Sequence, residues 1–460
     1  MFEIEFNHPV GIHFIGIGGI SMSGLAEVLL MDGFRVSGSD SNKSELTEQL
    51  RRHGAVIYYG QRKENITDDV EVVVYSAAVH ADNEEFAEAM RRKLPMMTRA
   101  ELLGQLMRNY STAIAVSGTH GKTTTTSMLA EVMMREGMDP TVSVGGMLDS
   151  IGGNIRVGRS EKFLTEACEY TDSFLSLFPT IGVILNVKAD HLDYFKDIDH
   201  IRRSFRAFAE LVPEDGLLVV SNDIEKLDEL TDGLRCRVVT VGKEGKADYL
   251  AKDIVYREGA LPEFVCVGPD NETGHFSLAV PGEHNVMNAL ATIAVGRCLG
   301  VSMDSLSEDL KLFGGTRRRF ELKGKLGEIT VIDDYAHHPD EIRATLTAAN
   351  NWGAKRVVCV FQPHTFSRTK ALMDDFAEAL SLADEVVLAK IYPAREKDNL
   401  GISSQDLADK IAAMGKDVIY IDSFDEIENY LLEHSRPGDL LLTMGAGDVY
   451  KVGDALVGKK

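Results

Sequence analysis

Short apolar runs alternate with longer amphipathic stretches along almost the whole chain, which is the rhythm of parallel strands joined by crossover helices. Residues 11–16 (GIHFIG) read as a first strand and 23–32 as its helix. Gly33 ends that helix, because a left-handed cap suits glycine. A strand over 34–38, a helix near 45–52 and a run of strand formers at 70–75 complete this cycle. A second cycle opens with a β run at 113–116 that enters SGTHGKTTTT, followed by a helix over about 122–136 stopped by Gly137. Strands are expected next at 162–165 and 181–185, helices near 201–211 and 285–299, and an end at the glycine-rich FGGT of 313–316. The third cycle has strands at 330–332, 357–361, 385–388, 418–421 and 440–443, with helices between them, including 370–380 and 404–414. There is no short-period repeat. The expected fold class is α/β, with three consecutive α/β domains at 1–108, 109–313 and 314–460.

Composition narrows the classes further. The chain has 460 residues, with 49 Lys+Arg against 71 Asp+Glu, a net charge of −22. Such an excess repels phosphate backbones and anionic membranes, so neither a nucleic-acid partner nor membrane insertion is expected. An anionic substrate then needs a local basic or backbone N–H site. The five cysteines (Cys168, Cys236, Cys266, Cys298, Cys359) form no CxxC or other metal-type spacing, and four lie in or beside apolar runs. Reduced, buried thiols in a cytosolic protein are therefore expected. The start, MFEIEFNHPV, has no basic segment leading into an apolar core, and no apolar run is long enough to span a bilayer.

The sharpest chemical signal is Ser117-Gly118-Thr119-His120-Gly121-Lys122-Thr123-Thr124 between a β run and a helix. Glycines there let backbone N–H groups turn toward phosphate oxygens, and the helix N-terminus adds positive potential. Lys122 is placed to reach the β- and γ-phosphates and the Thr123 hydroxyl to ligate Mg²⁺. The Gly16-Ile-Gly18-Gly19-Ile-Ser21 turn, with Asp40 ending the next strand, is close to a dinucleotide fingerprint but has Ser21 at the third glycine. It suits a diphosphate without saying whose. Glu166-Ala-Cys168-Glu169-Tyr-Thr-Asp172 and Asn186-Val-Lys-Ala-Asp190-His191-Leu-Asp193 follow two strands, on the side where ligands of parallel sheets bind. His284-Asn285-Val-Met-Asn288 offers amides to a purine edge. Arg317-Arg318-Arg319-Phe320-Glu321 sits at the junction with the third cycle, and Asp333-Asp334-Tyr335-Ala336-His337-His338 and His364-Thr-Phe-Ser-Arg368 follow strands within it.

In order along the chain, HFIGIGGISMSGLAE, SGTHGKTTTTSM, NVKADHLDYF, PGEHNVMNALA, RRRFE, DDYAHHPDEI, QPHTFSRT, IYPAREK and MGAGD resemble the motifs of the Mur ligase family over essentially the whole length. The resemblance implies a Rossmann-like N-terminal domain for a UDP-sugar, a P-loop ATPase centre and a Rossmann-like C-terminal domain for an amino acid. It further implies an ATP- and Mg²⁺-dependent ligase of cytoplasmic peptidoglycan precursor synthesis, whose substrates are UDP-N-acetylmuramate and L-alanine. By the family's pattern Gly16, Gly18 and Gly19 hold the substrate diphosphate, with Asp40 and Ser76 beside it. Gly118 through Thr124 cradle ATP, Thr123 and Glu166 hold one Mg²⁺, and His191 holds a second. Asn285 and Asn288 face the adenine, and Arg319 and Asp334 reach phosphate and ribose on closure. Tyr335, His337, His364 and Arg368 surround the alanine. Lys122, Glu166, His191 and Arg319 then form the catalytic set.

The sequence departs from that pattern in three places. Cys168 stands where the family usually has Asp, and Thr365 where many relatives have Arg. Several members carry a carbamylated lysine about fourteen residues beyond the histidine of the DH pair, where this chain has Phe205. Two other readings stay open on sequence alone: a recycling ligase that adds a preformed peptide to the same sugar nucleotide, and an NAD-binding oxidoreductase or sensor. The oligomeric state is also open.

Overall fold

The computed structural model describes residues 2–76, 79–191, 194–394 and 396–459. The chain forms two compact units, one of residues 1–249 with 291–302 and the other of residues 250–290 with 303–460.

The first unit contains two parallel sheets. In the N-terminal one the order is Val56–Tyr59, Arg35–Asp40, Gly11–Ile15, Val72–Tyr75, Met96–Thr98. The order reverses between Gly11–Ile15 and Val72–Tyr75, and crevices at such reversals are where doubly wound sheets take ligands. Ile12 and Phe14 pack against Leu25, Ala26 and Leu29 of helix Ile20–Met31. His13 and Ile15, pointing the other way, face the opposite side of the sheet.

The second sheet of this unit runs Arg237–Gly242, Leu217–Ser221, Ile181–Ile184, Thr112–Ser117, Lys162–Glu166, Thr141–Leu148 in parallel, with Gly153–Arg156 antiparallel at the edge. Thr112–Ser117 is thus flanked by the strands that end at Ile184 and Glu166. The three loops carrying the polar motifs leave neighbouring strands from the same end. Phe174, Phe205 and Phe208 are buried beneath them, the rings of Phe174 and Phe208 stacked at 4.9 Å.

In the other unit, the strand Tyr249–Arg257 from Leu250 onward forms an antiparallel meander with Leu261–Val267 and Thr273–Ser277. A six-stranded sheet follows, in the order Glu321–Leu326, Ile329–Asp334, Asp439–Met444, Arg356–Phe361, Glu385–Leu388, Asp417–Tyr420. Only its first pair is antiparallel. The β run at Asp439–Met444 is inserted between the strands bearing the DDYAHH and PHTFSR motifs, so their carboxyl ends are next-but-one neighbours.

The architecture is the expected α/β class, and several elements differ in detail. The first helix starts at Ile20, three residues before its expected start, because Gly19 serves as an N-cap with no side chain bonding the first turn. Helix Ile198–Ala209 also starts early, since Asp197 caps it by accepting from the backbone N–H of His200. The expected helix at 370–380 is two helices, Phe366–Ala371 and Met373–Leu380, separated at Leu372. Four of the five cysteines are expected to be buried; three are (Cys236, Cys266, Cys359), and Cys168 and Cys298 are exposed. Among the described residues no helix is long and apolar enough to cross a membrane.

Helix Arg99–Met107 packs so closely on the segment Tyr170–Ser176 that a Cβ on Gly104 would lie 1.9 Å from the Ser176 carbonyl oxygen. Backbone cannot yield as a side-chain tip does. Gly104→Ala is therefore expected to cost about 1–3 kcal/mol. Its thermal unfolding midpoint should fall by several degrees, and an unchanged midpoint would contradict the packing described.

Candidate active site

The phosphate loop follows from local backbone chemistry. Gly118 (φ +136°) and Gly121 (φ +86°) take conformations that L side chains rarely adopt. A Cβ on Gly118 would also press on Leu185 Cβ at 3.0 Å. Gly121 is the N-cap of helix Lys122–Arg135, and no side chain bonds that first turn. An uncapped helix start of this kind is a ready anion site. Asn186, from the next strand end, shapes the loop. Its Oδ1 accepts from His120 N at 2.9 Å, its Nδ2 donates to His120 O at 3.0 Å, and its carbonyl accepts from Thr119 N at 3.2 Å. The sequence marked Asn186 only as part of a motif. Its bracing role comes from the adjacency of two strands 66 positions apart at these residues.

Lys122 is saturated. Its Nζ donates to Gly118 O at 2.5 Å, Thr119 O at 3.0 Å, and the Glu169 carboxylate at 3.0 and 3.2 Å. Burial pulls its pKa down, but the negative charge of Glu169, with smaller help from Cys168 and Glu166, outweighs this and raises it. Glu169 is almost wholly buried and also faces His191 Nε2 at 3.8 Å. His191 sits at φ +52°, a left-handed backbone for a non-glycine residue. Its carbonyl accepts from Tyr194 N and Phe195 N, and its ring lies 4.7 Å from that of Tyr170. Asp193, part of the same motif, lies outside the described residues. Glu166 is steered separately: Gly145 N donates to its Oε1 at 2.5 Å, and a Cβ on Gly145 would meet its Oε2 at 2.5 Å.

Thr123, on the first turn of the helix, is buried and Thr124 is partly exposed. The hydroxyl of Thr123 and the carboxylate of Glu166 are hard oxygen donors of the kind Mg²⁺ prefers, and His191 adds a nitrogen. Phe205 is fully buried in the apolar core and Lys188 is exposed.

At the N-terminal turn, Gly16 (φ +83°) and Ile17 both donate to Ser39 O at 2.9 Å, and Gly19 N donates to Gly16 O. Gly18 N donates to Asp40 Oδ2 at 2.9 Å, where a Cβ on Gly18 would lie 2.7 Å from the same oxygen. Asp40 thus holds the turn itself. Ser76 follows strand Val72–Tyr75, across the order reversal. Under the sheet lies a polar group that the sequence reading missed. Glu85 accepts from Ser39 Oγ at 2.6 Å and Asn65 Nδ2 at 2.5 Å, and faces buried His13 at 3.6 Å. A histidine amid the apolar run GIHFI was the available signal.

In the other unit, Asn285 and Asn288 stand on the first turns of helix His284–Cys298, both buried. Asn288 Nδ2 donates to Asn285 Oδ1 at 2.9 Å and Asn285 Nδ2 to Pro281 O at 2.7 Å. The C-terminal sheet gathers the remaining expected residues. The Arg319 guanidinium lies over the Tyr335 ring at 5.2 Å, and Tyr335 and His337 are 5.4 Å apart. The rings of His337 and His364 are 5.9 Å apart, and Arg368 Nη1 approaches His364 Nδ1 at 3.3 Å. Tyr392, which the sequence reading did not single out, stacks on His364 at 5.5 Å. Arg395, in the IYPAREK motif, lies outside the described residues. Asp334 accepts from Phe320 N and Ala336 N, each at 2.7 Å. Burial nevertheless raises its pKa to about 6, against the pull of Arg319 and those two N–H groups.

Burial, then the neighbouring His337 and Arg368, lowers the His364 pKa to about 4, with Glu396 opposing. His364 is therefore neutral at pH 7 and available as an acceptor. A histidine whose folded pKa lies below its unfolded value adds stability at neutral pH that is lost as pH falls from about 6.5 to about 4. Imidazole NMR should give His364 a midpoint near 4, and one near 6.5 would contradict this packing.

Three family models cover the chain: "Mur ligase family, catalytic domain" at residues 11–111, "Mur ligase middle domain" at 116–296, and "Mur ligase, glutamate ligase domain" at 318–447. The chain is 56% identical over 458 residues to the UDP-N-acetylmuramate–L-alanine ligase of Lachnospira eligens, covering 99% of this chain and 100% of that one. Among solved structures it is similar to the UDP-N-acetylmuramate-alanine ligase of Thermotoga maritima, with TM-score 0.81, 32% identity, and 97% and 98% of the two chains covered. It is also similar to a murein peptide ligase of Psychrobacter arcticus, with TM-score 0.72, 25% identity, and 98% of each chain covered. With glycine-built strand–helix turns, a loop lysine held by a buried carboxylate and full-length likeness of this order, the chain belongs to the Mur ligase family.

Proposed function

We infer that the protein joins L-alanine to the lactyl carboxylate of UDP-N-acetylmuramate, consuming ATP and releasing ADP and phosphate, in cytoplasmic peptidoglycan precursor synthesis. The full-length 56% identity to a UDP-N-acetylmuramate–L-alanine ligase carries this reading. The peptide-adding alternative has less support, since the murein peptide ligase matches at 25% identity against 32% for the alanine ligase. An oxidoreductase built on the Gly16–Gly19 turn would leave Lys122 and its loop without a use.

A carboxylate is a poor acylating agent, so its oxygen attacks the γ-phosphate and ADP leaves. The alanine amine then attacks the resulting acyl phosphate, and a tetrahedral adduct collapses to amide and phosphate. The chain's part is to align anionic groups and offset their charge. Lys122 and the backbone N–H groups of residues 118–124 serve the phosphates of ATP, and Arg319 adds a second cation. Gly16, Gly18 and Gly19 serve the UDP diphosphate, with Asp40 bracing their turn and Ser76 beside it. Asn285 and Asn288 serve the adenine and Asp334 the ribose. Neutral His364, with Tyr335, His337 and Arg368, forms the alanine pocket. Thr123, Glu166 and His191 would hold Mg²⁺, which when bound supplies further charge neutralisation at the phosphates. The domain division at 1–108, 109–313 and 314–460 follows the same assignment.

Phosphate release should require ATP, the UDP-sugar and L-alanine together, and should vanish when any one is omitted. Steady turnover with ATP alone would refute the ligase reading, and turnover with a tripeptide but not alanine would favour the alternative. With Phe205 in place of a carbamylated lysine, activity should not change when CO₂ and bicarbonate are removed. Rescue by added bicarbonate would show the metal site to be misassigned.

A further inference from the structure

Glu169 does work that the family pattern leaves unexplained. Its carboxylate is nearly inaccessible to solvent, and both oxygens lie within hydrogen-bond reach of Lys122 Nζ, at 3.0 and 3.2 Å. The ammonium also donates to Gly118 O and Thr119 O. Lys122 is therefore neutralised by the protein before any phosphate arrives. Glu166 acts on the same ammonium from further off, and Asp190 stands 3.8 Å from His191, which Glu169 also faces. Arg99, partly exposed, is a further cation, coupled to Cys168. Around the loop lysine, fixed negative charge exceeds positive.

A bare nucleoside diphosphate carries about three negative charges near neutral pH. In this loop it must displace or share a lysine already paired with a buried carboxylate, and it approaches that carboxylate closely. The same nucleotide with a divalent cation brings its own compensation, and the excess carboxylates then attract it. We propose that Glu169 is a specificity-determining residue that makes the phosphate loop select the cation-bound nucleotide over the bare one. It acts through Lys122 as a built-in competitor for phosphate, while Gly145 directs Glu166 separately. The proposal rests on the nucleotide-binding reading of the loop.

The test is calorimetric titration of ADP into the full-length enzyme, once with EDTA and once with Mg²⁺. Glu169→Gln is nearly isosteric and keeps a group beside Nζ. It should tighten binding of metal-free ADP by about tenfold while leaving Mg·ADP within about threefold of wild type. Unchanged or weaker metal-free binding overturns the proposal. Weaker Mg·ADP binding with metal-free binding unchanged overturns it too, and makes Glu169 a cation ligand. Should Glu169→Gln fail to fold by circular dichroism, Glu169→Asp draws the carboxylate back by one methylene. It must narrow the ratio of the two affinities in the same direction by a smaller factor, and an unchanged ratio there refutes the proposal. A wild-type enzyme that binds ADP under neither condition overturns the nucleotide reading itself, whereas normal binding without a Glu169 effect overturns only this inference.

Discussion

The geometry of the phosphate loop depends on one constraint, the parallel pairing of Thr112–Ser117 with Ile181–Ile184 on one side and Lys162–Glu166 on the other. Parallel pairing sends all three chains out of the sheet at the same end, so their next residues cannot avoid one another. Asn186 reaches the loop because its strand is a hydrogen-bonded neighbour, and Glu169 meets Lys122 for the same reason. The loop is thereby built before it binds anything. Its peptide groups are aimed by Asn186 and its lysine is oriented by a carboxylate, so little ordering is left for the ligand to impose.

The C-terminal sheet uses the same physics to assemble a different surface. His337 follows Ile329–Asp334, His364 follows Arg356–Phe361, and Tyr392 follows Glu385–Leu388. These strands end together, and their aromatic rings pack edge to face or stacked. The cost of burying imidazole among cations is met by keeping it uncharged. The electrostatics of this cluster follow from its packing.

Much of this was legible in the sequence, for identifiable reasons. Glycines with a Lys-Thr at a strand–helix junction allow few other conformations, so the loop from Gly118 to Thr124 could be read directly. The apolar runs at 181–185 and 357–361 marked buried parallel strands because both faces are covered. Long-range pairing was not legible: Lys122 and Glu169 are 47 positions apart, and nothing local in EACEY distinguishes the carboxylate that takes the lysine from the one that Gly145 takes. Strand Thr141–Leu148 was hidden by its two glycines, which lower strand propensity. The early helix start at Ile20 was hidden because Gly19 caps by conformation, without a polar side chain to announce it.

Arg318 and Arg319 are neighbours in a single RRR run but are held differently. Arg318, at φ +62°, donates to Asp333 and to the Gly445 carbonyl and lies over Tyr450. It also lies over the Tyr335 ring at 4.9 Å, where the Arg319 guanidinium approaches at 5.2 Å. One guanidinium is thus a rivet of the fold, and the other is the one proposed to serve the nucleotide. A mutational scan scored only by growth would rate the two alike. Soluble yield and melting behaviour would separate them, because loss of Arg318 removes bonds of the fold while loss of Arg319, in its proposed role, leaves those bonds in place.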